Sequence, residues 1–545
     1  MAIKRTTCPF CRNGCEAGVS FDGYQYQMEY LKDAKVNKGK LCPRGNSANL
    51  VIDHPKRLAY PLLDGNEIIW EQAIERAKSW LESVEPDEMA VAYSRGLSAQ
   101  ETGLLRGFAR FLGTRNLVCG HIEPESCFNY RLAGTGNATL DNIKSAQTIL
   151  LIGDVFTTSP VASGPMIEAC YADRKSRLVV IDSIKTRQAG FANLFLQVKP
   201  GTEPFALMAL VGLLDKSVSG IDVDRFTELA GLEPDQLRQA AKMLGPGTPG
   251  FVGSAMHLGR VRYPVLHSLS SQLVALKAHK PFVGFSEARL PEGLMGFGQF
   301  RQAVDEDRIK MVFWFGGLYP YSYPELFPEM AKVEHRVCTS IFRPENTLPG
   351  LVLPVPSELE KESIGYSYWG KIERHPLASP YSGTRSVSWI IGQLARIDEI
   401  PEELSKPMGM EDVLKMATRT AEIPKDKTDN WLLVGEKKAI GIGGFYDDEQ
   451  EIFVNPVAAQ KLNVTDENFL AVESPSSRNE FRVHVTSAVP DGVLSIGVNA
   501  HSNRALFPIE TDKESGETAM PPVSVKVEKT TATARPAPEI KAMEF

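Results

Sequence analysis

Apolar and polar positions follow two periods along this chain, and both are typical of an α/β fold. Apolar residues recur every three to four positions in the segments that we predict as helices, 70–84, 98–114 and 163–174. Short, nearly continuous apolar runs predict buried strands at 89–94, 146–154 and 177–183. Strands that alternate with helices in this order indicate a parallel sheet covered by helices on both faces.

The same alternation resumes later in the chain and then gives way to a different pattern. Further strands are predicted at 251–259, 309–320, 335–342 and 351–357. Residues 400–428 are rich in Pro, Glu and Lys, and we interpret them as a linker. From about 430 to 510 the apolar runs become short and are separated by turn residues, which predicts a small barrel-like β domain.

Size, charge and apolar content narrow the class of protein. A chain of 545 residues is too long for one core, so we expect roughly two to four domains. Its net charge is −7 and it has no long basic run, which argues against nucleic acid as a partner. No stretch of about eighteen apolar residues predicts a membrane span, and the first residues do not resemble an export signal. We therefore expect a cytoplasmic protein that another subunit would have to hold at any membrane.

Four of the eight cysteines lie within the first 42 residues, spaced Cys-x2-Cys-x3-Cys-x26-Cys. The first three, Cys8, Cys11 and Cys15, share one short loop, and Cys42 returns from a distance. Four thiolates suit either zinc or an iron–sulfur cube. Zinc sites usually pair two Cys-x2-Cys elements, whereas here the fourth cysteine stands alone. The spacing therefore favours one [4Fe-4S] cluster over zinc.

Three motifs in this region resemble the beginning of the molybdopterin oxidoreductase (DMSO reductase) superfamily. They are CPFCRNGC, KGKLCPRG and DHPKRLAYPL. The superfamily includes formate dehydrogenases and the large iron–sulfur subunit of respiratory complex I. The resemblance extends over roughly residues 5–510 and implies that Arg44 lies between the cluster and a pterin.

Later segments resemble the parts of that superfamily that bind two pterin guanine dinucleotides. ILLIGDVFTTSP and LVVIDSIKTRQAG resemble one dinucleotide-binding stretch, which implies guanine recognition by Asp182. The cofactor-binding positions that the resemblance implies, besides Arg44 and Asp182, are Gly153, Asp154, Thr186, Arg187, Gly201, Thr202, Gly316, Gly317, Asn499 and Arg504. The chain departs from the family at 362–364 and 369–371, where Glu-Ser-Ile and Trp-Gly-Lys replace Glu-Gly-Thr and Glu-Gly-Arg.

The residue that would ligate molybdenum or tungsten is less clearly marked. In the family a Cys, selenocysteine, Ser or Asp lies between a Gly-Thr-Asn-like turn and the strand that corresponds to ILLIG. Counting back from that strand favours Cys119, with His121 as a nearby proton carrier. Cys127 is the alternative, and a site without a protein thiolate remains open. We interpret Cys170 and Cys338 as core residues.

These observations predict an N-terminal Fe–S lobe, two doubly wound α/β lobes and a C-terminal β-rich barrel-like domain. The expected bounds are 1–57 for the [4Fe-4S] domain, 58–427 for the α/β core with 119–300 as an inserted lobe, 428–518 for the β domain and 519–545 for a disordered tail.

The function that the resemblance implies is that of a formate-dehydrogenase-like oxidoreductase subunit. It would perform two-electron chemistry on a small molecule such as formate at a Mo or W site held by two pterins. Because the chain has one cluster motif and no visible flavin site, its electrons would leave through iron–sulfur or flavin partner subunits. The alternative is a non-catalytic subunit, similar to the one in complex I, that carries a cluster but has lost Mo or W.

Overall fold

The structure is a computed structural model, and it describes eleven stretches of the chain. These are residues 3–94, 96–120, 124–171, 176–286, 294–316, 327–344, 348–397, 406–422, 431–437, 450–512 and 515–530. The predicted mixed α/β fold with a barrel-like C-terminal domain is confirmed.

The N-terminal lobe is a small antiparallel sheet with the first three cysteines between two of its strands. Its strands are Lys4–Thr7, Glu16–Phe21 and Tyr26–Glu29, and short helices follow at Pro43–Asn46 and Asn49–Ile52. The last two strands form the hairpin that polar and apolar alternation predicts. The cysteine loop therefore begins and ends on paired strands, which fixes its two ends.

A seven-stranded sheet forms the first α/β lobe. In sheet order its strands are Asn66–Glu67, Leu62–Leu63, Leu351–Pro354, His335–Ser340, Met311–Phe315, Met89–Tyr93 and Leu117–Cys119. The last five are parallel. The helices of this lobe are Trp70–Ser83, Ala99–Leu112, Phe297–Asp305, Phe327–Lys332 and Val387–Leu394, with a 3-10 turn at Pro86–Glu88. Helix Ala99–Leu112 starts at a Ser98 cap and ends at Gly113, whose φ of 77° requires the left-handed region.

A five-stranded parallel sheet forms the second, inserted lobe. Its order is Leu194–Gln197, Arg177–Asp182, Thr148–Ile152, Gly250–Ala255 and Phe282–Phe285. Its helical elements are Pro124–Asn129, Leu140–Lys144, Val155–Thr158, Ser163–Tyr171, Arg187–Phe191, Glu203–Leu214, Val223–Ala230, Pro234–Leu244 and Pro264–Lys277. In both sheets the strand order reverses direction near the middle, as in doubly wound folds. Such folds place ligands at the carboxyl ends of the strands.

Residues 400–428 were predicted to be a linker, and this prediction was wrong for the central part of the segment, which is a helix. Residues Met410–Glu422 form a helix whose Val413 and Ala417 are fully buried in the core of the inserted lobe. Its apolar positions recur with helical spacing, and they pack against helix Pro264–Lys277. The charged residues around it gave the segment a linker-like composition.

A closed six-stranded barrel forms the C-terminal domain. Its strand order is Trp431–Glu436, Val493–Gly497, Glu451–Val454, Arg478–Val485, Phe469–Glu473 and Val523–Thr530. Helices Pro456–Leu462 and His501–Arg504 and a hairpin of Glu510–Thr511 with Thr518–Ala519 complete it. The predicted boundary at 518 and a disordered tail from 519 need correction, because strand Val523–Thr530 closes the barrel. Residues 531–545 lie outside the described part of the chain.

Within the described residues, no helix combines the length and the apolar character that crossing a membrane requires.

Candidate functional site

The four N-terminal cysteines line one cavity. Cys8, Cys11 and Cys15 are 6–8% exposed, and Cys42 is the more exposed of the four. The remaining lining residues are Phe10, Asn13, Leu41, Arg44, Gly45, Pro160 and Val161. None of the eight cysteines, all of which lie in described stretches, forms a disulfide. In the same stretches, no three His, Cys, Asp or Glu side chains are close enough together to hold a single metal ion, whereas the ligands of an iron–sulfur cube surround a larger group of four iron atoms.

The protein environment of these thiols disfavours thiolates unless a cation joins them. Burial, and then the charges of Cys11 and Cys15, raise the pKa of Cys8 well above its ordinary value. Burial raises the pKa of Cys15 to about 12, although the Asn13 amide donates a hydrogen bond to its sulfur at 3.0 Å. A positively charged metal centre would reverse this balance, since it binds the thiolate form.

A hairpin from far along the chain supports the cysteine loop. Its strands are Ser363–Ser367 and Gly370–Arg374, within the segment that departs from the family pattern. A Cβ on Gly14, which has φ of 75°, would lie 3.0 Å from the Cβ of Ser367. The backbone of Tyr368 donates to the Arg12 carbonyl at 2.7 Å. The departing segment therefore has a structural role, as it packs directly on the loop that carries the thiols.

Arg44 connects the cysteine cavity to the inserted lobe. Its side chain donates to the Thr158 carbonyl at 3.1 Å, and Pro160 and Val161 of the same loop line the cavity. This loop follows strand Thr148–Ile152 of the five-stranded sheet. The cavity thus adjoins the carboxyl edge of that sheet.

Gly153 and Asp154 form the turn between that strand and the loop. Gly153 has φ of 67°, and a Cβ there would lie 2.1 Å from the Ala255 carbonyl oxygen. No side chain fits at this position. Asp154 caps the short helix Val155–Thr158, accepting from the Thr157 amide at 3.2 Å and from its hydroxyl at 2.6 Å. The backbone of this turn and the carboxylate of Asp154 are therefore fixed in place.

Asp182 ends the neighbouring strand and forms a buried ion pair. Both of its carboxylate oxygens accept from one Arg260 nitrogen at 3.1 Å, and both side chains are at most 3% exposed. Arg260 also donates to the Gly435 carbonyl of the barrel at 2.7 Å. Burial raises the pKa of Asp182 to about 6, although the charge of Arg260 opposes this shift. The pair joins the inserted lobe to the barrel.

Three polar atoms near Asp182 are buried without a hydrogen-bond partner in the protein. They are Ser183 Oγ, Thr186 Oγ1 and Glu203 Oε2. Buried polar groups are nearly always satisfied, so these atoms indicate room for a polar ligand or water. Burial raises the pKa of Glu203 to about 8, with Asp182 adding to the shift.

The other predicted residues of this edge differ in exposure. Thr202 is buried and donates to the Lys199 carbonyl at 2.6 Å, in a turn that Gly201 makes with φ of 77°. Arg187 is exposed at the start of the 3-10 turn Arg187–Phe191. Thr202 is therefore engaged within its own turn, and Arg187 is available to a ligand only from the surface.

Glu203 predicts a measurable pH dependence of stability. Its folded-state pKa lies above its unfolded value of about 4.3, so the unfolded chain loses this proton first as the pH rises. The contribution of the group to stability is complete below about pH 4 and is lost as the pH approaches about 8. We expect Glu203→Gln to have the higher free energy of unfolding at pH 8, by on the order of 1–3 kcal/mol.

Urea unfolding of the two proteins at pH 5 and pH 8 measures this difference. Glu228→Gln, on the exposed side of helix Val223–Ala230, is the control. Equal pH dependence in Glu203→Gln and the wild type would contradict the prediction.

Arg260 and His257 were missed by the sequence analysis. His257 is fully buried, and its Nε2 lies 3.0 Å from the Asp154 carbonyl oxygen and 3.4 Å from Thr158 Oγ1. Burial, and then the charge of Arg260, lower the pKa of His257 to about 4. A signal was present, since His257 lies near the end of the predicted strand 251–259 and Arg260 directly follows it. Polar residues at that place on a parallel sheet are candidates for a site.

Cys119 and Gly316 lie at the carboxyl edge of the seven-stranded sheet. Cys119 ends strand Leu117–Cys119, is 8% exposed and donates its amide to the Met295 carbonyl at 2.8 Å. Gly316 follows strand Met311–Phe315 with φ of 113°, and its amide donates to Thr339 Oγ1 at 3.1 Å. The predicted partners His121 and Gly317 lie outside the described residues.

Cys127 lies close enough to Cys119 for their charges to interact. Burial, and then the charges of Glu517 and Cys119, raise the pKa of Cys127 well above its ordinary value. Glu517 comes from the barrel domain and accepts from the Tyr130 hydroxyl at 2.6 Å. The two candidate thiols are therefore neighbours of one partly buried phenol–carboxylate pair, which the sequence analysis did not identify.

Asn499 and Arg504 follow the barrel strand Val493–Gly497. Asn499 is partly exposed, and Arg504 is 8% exposed at the end of helix His501–Arg504. The neighbouring Asn503 donates to the Gly497 carbonyl at 2.9 Å and so fixes the turn between strand and helix.

Comparison with known proteins agrees with this architecture. Residues 1–54 match the molybdopterin oxidoreductase Fe4S4 domain family. The chain is 26% identical to F420-dependent formate dehydrogenase 1 subunit alpha of Methanococcus maripaludis over 277 residues, 44% of this chain and 40% of that protein. It is 28% identical to the F420-dependent formate dehydrogenase subunit alpha of Methanocaldococcus jannaschii over 229 residues, 39% of this chain and 33% of that protein. The match thus spans less than half the length of these relatives.

The fold extends beyond the region of sequence similarity. Acetylene hydratase from Pelobacter acetylenicus superposes with a TM-score of 0.74 at 14% identity, over 97% of this chain and 100% of that one. The N-terminal domain match and the formate dehydrogenase relatives agree with each other. Residues 1–54 are similar to the Fe4S4 domain of molybdopterin oxidoreductases, and the chain resembles formate dehydrogenase alpha subunits of the molybdopterin oxidoreductase (DMSO reductase) superfamily.

Proposed function

We propose that the chain is a cytoplasmic, formate-dehydrogenase-like oxidoreductase subunit. It would exchange two electrons with formate or a similar small molecule at a Mo or W site held by pterin guanine dinucleotides, and pass them through one [4Fe-4S] cluster. The two relatives described above carry the name formate dehydrogenase subunit alpha. No disulfide links any two of the eight cysteines, which suits a reducing compartment such as the cytoplasm.

The observation that carries this proposal is the cysteine cavity and its contact with the inserted lobe. Four thiols surround the cavity, and Arg44 extends from it to the Thr158 carbonyl. Thr158 is in turn 3.4 Å from His257, which contacts the Asp154 carbonyl. A cluster in this cavity would therefore lie beside the sheet edge at which a dinucleotide is expected.

The residues present fit a cluster at the cysteines. Thiolates are the ligands that iron–sulfur clusters use, and a buried amide donor such as Asn13 stabilises charge on sulfur. When bound, the cluster would accept and release one electron at a time. Phe10, Leu41 and Val161 give part of the cavity an apolar lining.

The fit to a pterin dinucleotide is partial. Ser183, Thr186 and Glu203 offer buried polar atoms without partners in the protein, as a nucleotide-binding edge should. Asp182 offers no atom without a partner, because both of its carboxylate oxygens accept hydrogen bonds from Arg260. Guanine recognition by Asp182 would therefore share the carboxylate with Arg260 and the Ser183 amide.

The Asp182–Arg260 pair favours a second candidate function. The residue expected to recognise guanine is engaged in a buried ion pair that joins two parts of the protein, which suits a structural role. The chain would then be a non-catalytic subunit, similar to the large iron–sulfur subunit of complex I, that keeps a cluster without Mo or W.

Replacing Cys119 distinguishes the two candidates. For an enzyme with Cys119 as metal ligand, Cys119→Ala should lower formate-dependent viologen reduction by more than about 100-fold, since even residues that only support a metal ligand matter 10- to 100-fold. The iron content should not change. Cys127→Ala tests the alternative ligand, and Cys338→Ala, in strand His335–Ser340, is the control. Wild-type turnover in both Cys119→Ala and Cys127→Ala would exclude a thiolate ligand.

A further inference from the structure

Positive charge is concentrated around the cysteine lobe of an acidic protein. Residues 1–45 contain eight basic and four acidic side chains, a net charge of +4, whereas the whole chain carries −7. The basic ones are Lys4, Arg5, Arg12, Lys32, Lys35, Lys38, Lys40 and Arg44, and the acidic ones are Glu16, Asp22, Glu29 and Asp33. The remaining 500 residues therefore have a net charge of −11.

The acidic side chains of this lobe are engaged locally. Both Asp33 oxygens accept from Arg5 at 2.8 Å, and Glu16 lies 3.7 Å from the same guanidinium. Asp22 accepts from the backbone of its own turn, and Glu29 accepts from Ser20 at 2.7 Å. These carboxylates therefore do not neutralise the nearby lysines.

Several lysines of the lobe are exposed and have no acidic partner. Lys4, Lys32, Lys35 and Lys38 form no ion pair within 4.0 Å in the described part of the chain. Three of them come from residues 30–40, which we call the lysine loop.

The backbone of the lysine loop is compact, since the Lys38 amide donates to the Ala34 carbonyl at 3.1 Å. A Cβ on Gly39 would lie 3.4 Å from the Lys32 backbone. Lys32 and Lys38 are thereby held close together.

Asn37 attaches the lysine loop to the cysteine cavity. This buried amide accepts from the Glu16 amide at 2.9 Å and donates to the Glu16 carbonyl at 3.0 Å and the Lys40 carbonyl at 2.9 Å. Glu16 follows Cys15, and Lys40 lies two residues before Cys42. The backbone of the lysine loop is thus fixed next to the residues that adjoin Cys15 and Cys42.

Apolar side chains are also exposed in and next to this lobe. Tyr30 is 56% exposed and hydrogen-bonds to Asn46, four residues after Cys42, and Leu50 is 49% exposed. Cys42 is itself the most exposed of the four cysteines. Exposed aromatic and aliphatic groups surrounded by charge are typical of protein docking surfaces.

We propose that the lysine loop, with Tyr30 and Leu50, docks an electron-carrier protein whose docking surface is acidic. The inference rests on the proposed function, because it takes the cysteine cavity as the point at which electrons leave the chain. Opposite charge on the partner would steer it to Cys42 and speed association at low salt. The apolar groups favour a protein partner over an anionic polymer.

Charge reversal on the loop tests the proposal. We would compare the wild type with Lys32→Glu/Lys35→Glu/Lys38→Glu, using an acidic ferredoxin with two [4Fe-4S] clusters as the probe. The control, Lys216→Glu/Lys242→Glu/Lys526→Glu, changes the net charge equally at exposed lysines of the inserted lobe and the barrel. Stopped-flow transfer from the dithionite-reduced chain to the oxidised ferredoxin is measured at 20 and 300 mM salt.

The loop variant should transfer electrons at least about 10-fold more slowly at low salt, whereas the control retains the wild-type rate. The wild-type rate should fall with salt and the variant rate should change little. Equal rates in the loop variant and the control, with equal iron content, would overturn the docking surface. An absence of iron from the wild type would instead overturn the proposed function.

Discussion

Cys11→Ala is expected to lower the iron content from about four atoms per chain to below about one. Cys11 is buried in the cavity lining, and no other thiol of the described chain lines that cavity besides its three partners. A cube that loses one of four protein ligands exposes an iron atom to solvent and becomes labile. Because metal binding is coupled to folding, the N-terminal lobe should also become more susceptible to proteolysis.

Iron analysis and absorbance near 400 nm on anaerobically purified protein measure the effect. Cys170→Ala is the matched control, since Cys170 lies on helix Ser163–Tyr171 and does not line the cavity. The control should keep wild-type iron. Unchanged iron in Cys11→Ala would mean that the cysteine cavity is not the cluster site.

Arg260→Ala is expected to destabilise the protein by about 3–5 kcal/mol. The change leaves the Asp182 carboxylate buried without its cation and the Gly435 carbonyl without its donor. Removing one partner of a buried pair costs more than removing both, because the remaining charge has no compensation. The double variant Asp182→Asn/Arg260→Ala should therefore recover part of the loss.

Urea unfolding of the cofactor-free protein at pH 7 measures both variants. Arg238→Ala, whose pair with Asp235 is exposed, should unfold like the wild type. A loss below about 1 kcal/mol in Arg260→Ala would show that the pair does not stabilise the junction between the inserted lobe and the barrel.

Most of the fold could be predicted from local patterns. The helices at 70–84 and 98–114 and the strands at 89–94 and 177–183 have strong periodicity and occur within one or two residues of the predicted bounds. Helix Met410–Glu422 and strand Val523–Thr530 were missed. Their composition resembles that of a linker and a tail, and contacts with distant elements stabilise them. The helix packs on the lobe core, and the strand pairs with strands Trp431–Glu436 and Phe469–Glu473.

The candidate site could be predicted from the sequence only where its residues lie close together along the chain. The cysteine spacing identifies the four thiols because three of them share a loop. Arg260 could not be paired with Asp182 from the sequence, since 78 residues separate the two. Glu517 and Tyr130 are 387 residues apart, and only the closure of the barrel onto the inserted lobe brings them together.

The central claim is that this chain holds a [4Fe-4S] cluster together with a pterin-bound Mo or W. Elemental analysis of anaerobically purified protein for Fe, Mo, W and Zn, with assay of released pterin, tests it most directly. We predict about four Fe and close to one Mo or W per chain, with pterin present. Iron without Mo, W or pterin in the fully assembled protein would contradict the catalytic function and leave an electron-transfer subunit. Zinc in place of iron would contradict the cluster itself.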